Sequence, residues 1–253
     1  MGIETSALAA SFDDAAKVYA AARPGYPADA VDWLVPSTAQ DVLDLGAGTG
    51  KFTQALVRPG RVVTAVDPSP KMLAELAARL PEVRTVVGSA ERIGVPDASA
   101  DVVTVAQAWH WFDPGPASAQ VARVLRPHGR LALVWNMRDE SVGWVAGLTR
   151  ILAKFGDDGA GRHGHVEHDP KAGPEFGSRQ RYVTSWSQPM TLPGLLDLVA
   201  SRSYAIVLPP KRRTMLLDAV ADLVAADPDL RGRETFDLPY VTYCYAFERL
   251  EER

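Results

Sequence analysis

The sequence predicts an α/β fold, a doubly wound and mostly parallel sheet with helices on both faces. Two observations carry that prediction. Between residues 41 and 135, short β-rich runs alternate with helical patterns, and such alternation implies right-handed βαβ crossovers. The β-rich runs are also too apolar to have one wet face, so they read as strands buried on both sides, as in a parallel sheet.

The elements follow in order. Five strands are predicted at DVLDL (41–45), VVTAV (62–66), VRTVV (83–87), DVVTVA (101–106) and RLALVW (130–135). KFTQALV (51–57) supplies a helical segment between the first two. SPKMLAELAARL (69–80) predicts a helix, with Met72, Leu73, Leu76 and Leu80 as its apolar stripe. Ser69 is its expected N-cap and Pro70 its first helical residue. ASAQVARVLRPHG (117–129) predicts another helix, ended by Pro127 and Gly129. Ahead of these, residues 12–22 and 28–35 predict two short helices joined by RPGYP (23–27).

Beyond residue 135 the pattern loosens. Residues 141–155 read as a helix and 156–177 as a polar, Gly-rich loop. Helical patterns return at about 193–203 and 211–226. In 235–250, Val241, Tyr243, Tyr245 and Phe247 alternate with Thr242, Cys244 and Ala246, which predicts a strand. No internal repeat or low-complexity linker interrupts the chain. The economical reading is one domain over 1–253: an N-terminal helical cap (1–40), a ligand-binding core (41–135), a lid and substrate region (136–234) and a C-terminal strand (235–253).

Bulk properties remove several function classes. Of 253 residues, 47% are apolar and 23% charged, the balance of an ordinary globular protein. A net charge of −4 gives no global electrostatic reason to expect nucleic acid as a partner. No apolar run reaches the roughly 18 residues of a membrane span, and the first residues lack the basic start of a signal peptide. A single cysteine, Cys244, excludes an internal disulfide and a cysteine-based zinc site. These readings imply a cytoplasmic protein, monomer or homodimer, without a membrane partner.

The segment DVLDLGAGTG (41–50) carries the functional signal. A strand-to-helix turn in an open α/β sheet holds its ligand at the carboxyl ends of the strands. Gly46, Gly48 and Gly50 remove the Cβ atoms that would keep backbone and ligand apart. The spacing is G-x-G-x-G, so Gly50 arrives one position early for the dinucleotide fingerprint. Asp44, two residues before the first glycine, would repel a pyrophosphate and suits a cationic ligand. Phe52 stands where a phosphate-binding loop needs its magnesium-binding hydroxyl. Asp67, at the end of the second strand, suits a carboxylate accepting from ribose hydroxyls. A ribose-bearing cation without pyrophosphate is required, and S-adenosylmethionine (SAM) meets that description.

As a set, D-L-G-A-G-T-G (44–50), Val66-Asp67, GSAERIGVPDASADVVTVAQAWHWFD (88–113) and RVLRPHGRLALV (123–134) resemble the motifs of class I SAM-dependent methyltransferases. The resemblance covers roughly residues 40–135. FDDAAKVYAAARPGYP (12–27) and AQAWHWFD (106–113) are similar to the trans-aconitate methyltransferase-like, small-molecule subgroup. The resemblance implies a Rossmann-like sheet of seven strands, the last of them 235–248 and antiparallel, with an N-terminal helical cap and a C-terminal lid insertion. It implies SAM as cofactor and S-adenosylhomocysteine as product. Gly46, Ala47 and Gly48 are then expected along the methionine moiety, with Asp44 near its ammonium. Ser69 and Met72 are expected beside the adenine, Ala90 and Glu91 at its edge, and Gln107 and Ala108 beside the sulfonium. Tyr19 and Arg23, four apart on one helix face, are expected over the cofactor pocket.

Methyl transfer asks the protein mainly to align acceptor, methyl and sulfur and to exclude water. Only an acceptor that must lose a proton needs a base. Trp109, His110 and Trp111 leave the fourth strand on the cofactor side, where they would orient or deprotonate an acceptor; packing and helix capping are the structural alternatives. Arg202 and Tyr204 are the substrate candidates implied near the C-terminal cap, a carboxylate being one candidate acceptor. The KRR run (211–213) reads as a solvated helix start. His163, His165, Glu167 and His168 invite a metal reading, but their Gly-rich surroundings do not preorganise a site, and no metal is expected. Cys244 reads as core. The competing functions are a non-catalytic SAM-binding regulator and an NAD(P)-linked oxidoreductase.

Overall fold

In a computed structural model the chain is described over residues 24–156 and 169–251. The expected helix at 12–22, Tyr19, Arg23 and the histidine cluster at 163–168 lie outside the described residues.

The centre is a seven-stranded mixed sheet in the order β3-β2-β1-β4-β5-β7-β6. The strands are β1 Asp41–Leu45, β2 Val62–Asp67, β3 Arg84–Val87, β4 Ala100–Ala106, β5 Leu125–Arg138, β6 Gln180–Met190 and β7 Phe236–Glu248. β1 pairs in parallel with β2 and β4, β2 with β3, and β4 with β5. The helices are α1 Ala28–Leu34, α2 Thr53–Leu56, α3 Pro70–Arg79, α4 Pro114–Val124, α5 Gly143–Lys154, α6 Leu192–Ala200, α7 Ser203–Ile206 and α8 Pro210–Ala226. A 3-10 turn covers Trp109–Trp111. Among the described residues no helix is long and apolar enough to cross a membrane.

The chain forms two compact units. One contains 25–136, 169–184 and 242–251 of the described residues. Here alternation along each strand sends side chains to opposite faces of the sheet. Leu43, Leu45, Val103, Val105, Leu131 and Leu133 pack with Ala117, Val121 and Val124 of α4. Val42, Val63, Ala65, Val102 and Ala132 pack with Val31 and Leu34 of α1, Leu56 of α2 and Leu73 and Leu76 of α3. Two cores on two faces are what a doubly wound sheet requires. The other unit contains 137–156 and 185–241. Its core joins Val145, Leu148 and Leu152 of α5, Leu195 and Leu198 of α6 and Leu216 and Val220 of α8 with Leu238 and Tyr240.

Two elements depart from the sequence reading. The helix expected over 117–129 ends at Val124, and Leu125 already belongs to β5. Ala98 and Ser99 donate to the carbonyls of Arg123 and Val124, and Ala100 pairs with Leu125. Pro127 also drives the residue before it out of helical geometry. β6 has no counterpart in the sequence reading. It is the last strand of the sheet, and its residues alternate between exposed and half-buried without a strongly apolar face, so the period of two carries no hydrophobic signal.

Candidate functional site

The site begins where β1 ends. Gly46 and Ala47 donate their amides to the carbonyl of Val66 at 2.8 and 3.1 Å, strapping the turn to the end of β2. Gly50 donates to the carbonyl of Ala47 at 2.9 Å, and Gly48 to the Asp67 carboxylate at 2.8 Å. Four amides of this turn are thus spent on protein acceptors. A phosphate cradle would aim such amides at its ligand, and α2 behind the turn is only four residues long.

The glycines divide the work. Gly50 has φ +83°, and a Cβ there would stand 2.7 Å from Cγ of buried Leu76, so its role is close packing of the turn on α3. Gly46 is pressed instead against Ala108 and Phe112. Gly48, at φ +54°, has nothing within 4 Å of its missing Cβ, so it alone of the three faces open space. Beside it, the buried Thr49 hydroxyl has no hydrogen-bond partner among the described residues.

Asp44 lies beneath the turn, 1% exposed. It accepts from the Thr53 hydroxyl at 2.6 Å and from the Thr104 hydroxyl at 2.9 Å. Burial pushes its carboxyl up to about 6, against the two hydroxyls, which favour the ionised form; the charge of Asp67 adds to the rise. Asp67, 8% exposed, closes β2; its second oxygen accepts from the Ser69 amide at 2.9 Å. Ser69 in turn caps α3 by accepting from the Met72 amide at 3.3 Å, with Pro70 first in the helix. The capping expected from the sequence is present. Met72 is buried against the same end of α3.

After β3, Gly88 donates to the Asp67 carbonyl, and residues 89–92 form a tight bridge that buries Ala90 and leaves Glu91 exposed. Glu91 reaches the loop after β4 by accepting from the Asp113 amide at 3.2 Å. At the tip of β4, Gln107 has φ +59°, a conformation rare for a side-chain-bearing residue. Its amide donates to Val134, and its side chain donates to the Asn136 carbonyl at 3.2 Å. Asn136 donates to the Gly25 carbonyl at 2.8 Å and accepts from Thr242 at 2.7 Å. Strain of this kind persists only where its surroundings over-determine it, and it concentrates at functional sites.

The tryptophans separate. Trp109 is 3% exposed and donates to the Lys171 carbonyl at 3.1 Å, so it packs in the core. Trp111 is 49% exposed, and His110, half-buried, lies between them in sequence. His110 accepts from the Trp135 indole at 3.4 Å.

Asp44, the glycine turn, Asp67, Ser69, Met72, Ala90, Glu91 and 107–111 therefore all lie at or just beyond the carboxyl ends of β1 to β4, where ligands bind in this class of sheet. Arg202 and Tyr204 belong to the other unit. Arg202 occupies the N-cap position of α7 without a side-chain capping bond, and Tyr204 packs against that unit's core. Lys211, Arg212 and Arg213 are exposed at the start of α8, as the sequence reading has it. Cys244 is fully buried, and burial pushes its thiol up to about 12, which leaves it inert. Among the described residues no group of three His, Cys, Asp or Glu is placed to hold a metal ion. A groove of about 410 Å³ lies at the opposite end of the sheet, lined by Arg58, Arg61, Val63 and Glu82, away from these residues.

Comparison with known proteins bears on the family and the fold. Residues 43–133 match the family model described as a methyltransferase domain. An uncharacterized methyltransferase of Mycobacterium tuberculosis is 49% identical over 238 residues, covering 94% of this chain and 95% of the relative. The chain belongs to the class I SAM-dependent methyltransferases. An uncharacterized methyltransferase-like protein of Schizosaccharomyces pombe is 32% identical over 237 residues, 91% of this chain and 92% of that one. A solved structure from Anaeromyxobacter dehalogenans, provisionally classed as a type II methyltransferase, has a TM-score of 0.65 and 27% identity. It covers 90% of this methyltransferase and 97% of its own chain.

Sequence reasoning missed Thr53 and Thr104, the partners of Asp44, and the pairing of His110 with Trp135. The signal for the hydroxyls is weak: two threonines on elements flanking a buried acid. For the tryptophan no local signal exists, because Trp135 reads as one more strand residue.

Proposed function

We propose that this chain transfers the methyl group of SAM to a small-molecule acceptor bearing a carboxylate. The observation that carries SAM as the methyl donor is the division of labour in the glycine turn. Its amides are satisfied by Val66, Ala47 and Asp67, while two carboxylates, Asp44 and Asp67, stand under and beside it. Such a turn is electrostatically wrong for a pyrophosphate and right for a ligand carrying an ammonium and a sulfonium. This disfavours an NAD(P) enzyme on the same fold.

The residues present suit SAM. Gly48 offers backbone that a methionine moiety can approach without a Cβ in the way. Asp67 is the acceptor for ribose hydroxyls, and the start of α3, with Ser69 and Met72, walls the adenine together with Ala90 and Glu91. Asp44 acts through its charge beneath the turn. SAM supplies an activated methyl group with its leaving group built in. Gln107 and Ala108 fix the tip of β4 that fronts the reacting centre, and Trp111 helps keep water away. No base is required for a carboxylate acceptor.

The test is transfer of labelled methyl from SAM to a panel of small carboxylic acids, phenols and amines. Ester formation on at least one acid supports the proposal. SAM binding with no transfer to any acceptor would favour a non-catalytic SAM-binding protein, and transfer to amines alone would refute the acceptor class.

A further inference from the structure

His110 and Trp135 form a pair that neither strand pairing nor cofactor binding demands. Trp135 is fully buried on β5, edge-on to Tyr245 at 5.9 Å between ring centroids. Its indole N–H donates to Nδ1 of His110 at 3.4 Å. An indole nitrogen can only donate, so Nδ1 of His110 must offer a lone pair, and a neutral imidazole accepting there carries its proton on Nε2. A protonated ring would set two N–H groups against each other across this contact. Trp135 sits inside the core while His110 is half-buried on the turn, so the Nδ1 edge faces inward and Nε2 points away from the indole.

We propose that Trp135 is a positioning residue that holds His110 in its Nε2–H tautomer, so that His110 gives a hydrogen bond to the methyl acceptor and does not take a proton from it. The acceptor is then a molecule whose oxygen is already ionised, a small carboxylate. This rests on the methyl-transfer reading above. The step balances without a proton. A lone pair of the acceptor carboxylate forms the new O–C bond as the S–C bond breaks, and the departing electron pair stays on sulfur. A base at position 110 would have nothing to do; a donor there orients the carboxylate by one of its oxygens, leaving the other to attack.

The experiment has a spectroscopic arm and a chemical arm. Nitrogen-15 spectra of the histidine-labelled protein, assigned with H110Q, report the tautomer without any ligand. The Nε2–H form is expected for His110, with W135F turning it toward a mixture. An Nδ1–H form in the unsubstituted protein overturns the proposal, as does a spectrum that W135F leaves unchanged. In the chemical arm, labelled SAM is presented with small carboxylates, phenols and alkylamines. Turnover of carboxylates is expected, with H110Q, whose amide still donates, keeping a rate within about fivefold while H110A loses on the order of ten- to a hundredfold, the range for a lost hydrogen bond to a charged group. Equal loss in H110Q and H110A, or turnover confined to phenols or amines, overturns it. Absence of SAM binding by calorimetry would instead remove the underlying reading, and the tautomer result would stand apart from it.

Discussion

Asp44→Asn separates what a buried charge costs the fold from what it does for a ligand. The carboxyl is 1% exposed and its pKa is about 6 rather than 3.8, chiefly because burial disfavours the ionised form. A folded pKa above the unfolded one means that the neutral form favours folding. That contribution is fully present below the unfolded pKa and is lost as the pH rises through the folded one. A shift of about two units corresponds to about 3 kcal/mol of destabilisation at pH 8, falling to about 1 kcal/mol near pH 4.5. Asparagine can keep both contacts. Its carbonyl accepts from Thr53, while its NH₂ donates to Thr104, whose own hydroxyl turns to the Leu43 carbonyl, already 3.3 Å away. Urea unfolding at pH 8 is therefore expected to show D44N more stable than the unsubstituted protein by up to about 3 kcal/mol, with the gap closing toward pH 4.5. Calorimetry at pH 8 is expected to show SAM binding weakened by about 1–3 kcal/mol, the scale of a lost charged interaction. If D44N is less stable at pH 8 and binds SAM as tightly as before, Asp44 is a structural carboxylate and the reasoning fails.

Further outcomes follow from the same geometry. Asp67→Ala is expected to weaken SAM binding by on the order of 1–3 kcal/mol; unchanged affinity in a calorimetric titration would remove Asp67 from the ribose. Gly50→Ala, forced against Leu76 at 2.7 Å with φ +83°, is expected to cost about 2–4 kcal/mol of stability from left-handed strain and overpacking together. Gly48→Ala, facing open space, is expected to cost only about 1–2 kcal/mol of stability by urea unfolding while weakening SAM binding more than its stability loss suggests. Cys244, fully buried with its thiol pushed up, is expected to resist maleimide in the folded protein and react in urea; rapid labelling without denaturant would contradict its place in the core.

The strands β1, β2, β4 and β5 are legible because their residues are buried on both faces, and burial writes itself into a chain as unbroken apolar residues. β3 is legible from its β-branched residues alone, for it is an outermost strand with no buried residue, against the expectation of burial on both sides. The N-cap of α3 was legible because Ser-Pro ahead of an apolar stripe encodes it locally. β6 was not, since an edge strand with one wet face and Gln, Ser and Pro along it carries no apolar alternation. The end of α4 is not legible locally because Ala98–Ala100, more than twenty residues upstream, supply the pairing that stops it. At the site, residue types such as Asp44, Asp67 and the glycines stood out, but their partners did not. Thr104 reaches Asp44 across sixty positions. Trp135 meets His110 because the register of β4 on β5 sets Ala106 beside Val134. In the sequence the three glycines look like one device, whereas two of them serve packing and one faces open space.

The central claim is that this turn holds a cationic nucleoside and not a dinucleotide. Isothermal titration of the intact chain at pH 8 with SAM, S-adenosylhomocysteine and NAD tests it most directly. Saturable heat with the first two and none with NAD is the predicted result; NAD binding without SAM binding would contradict the account.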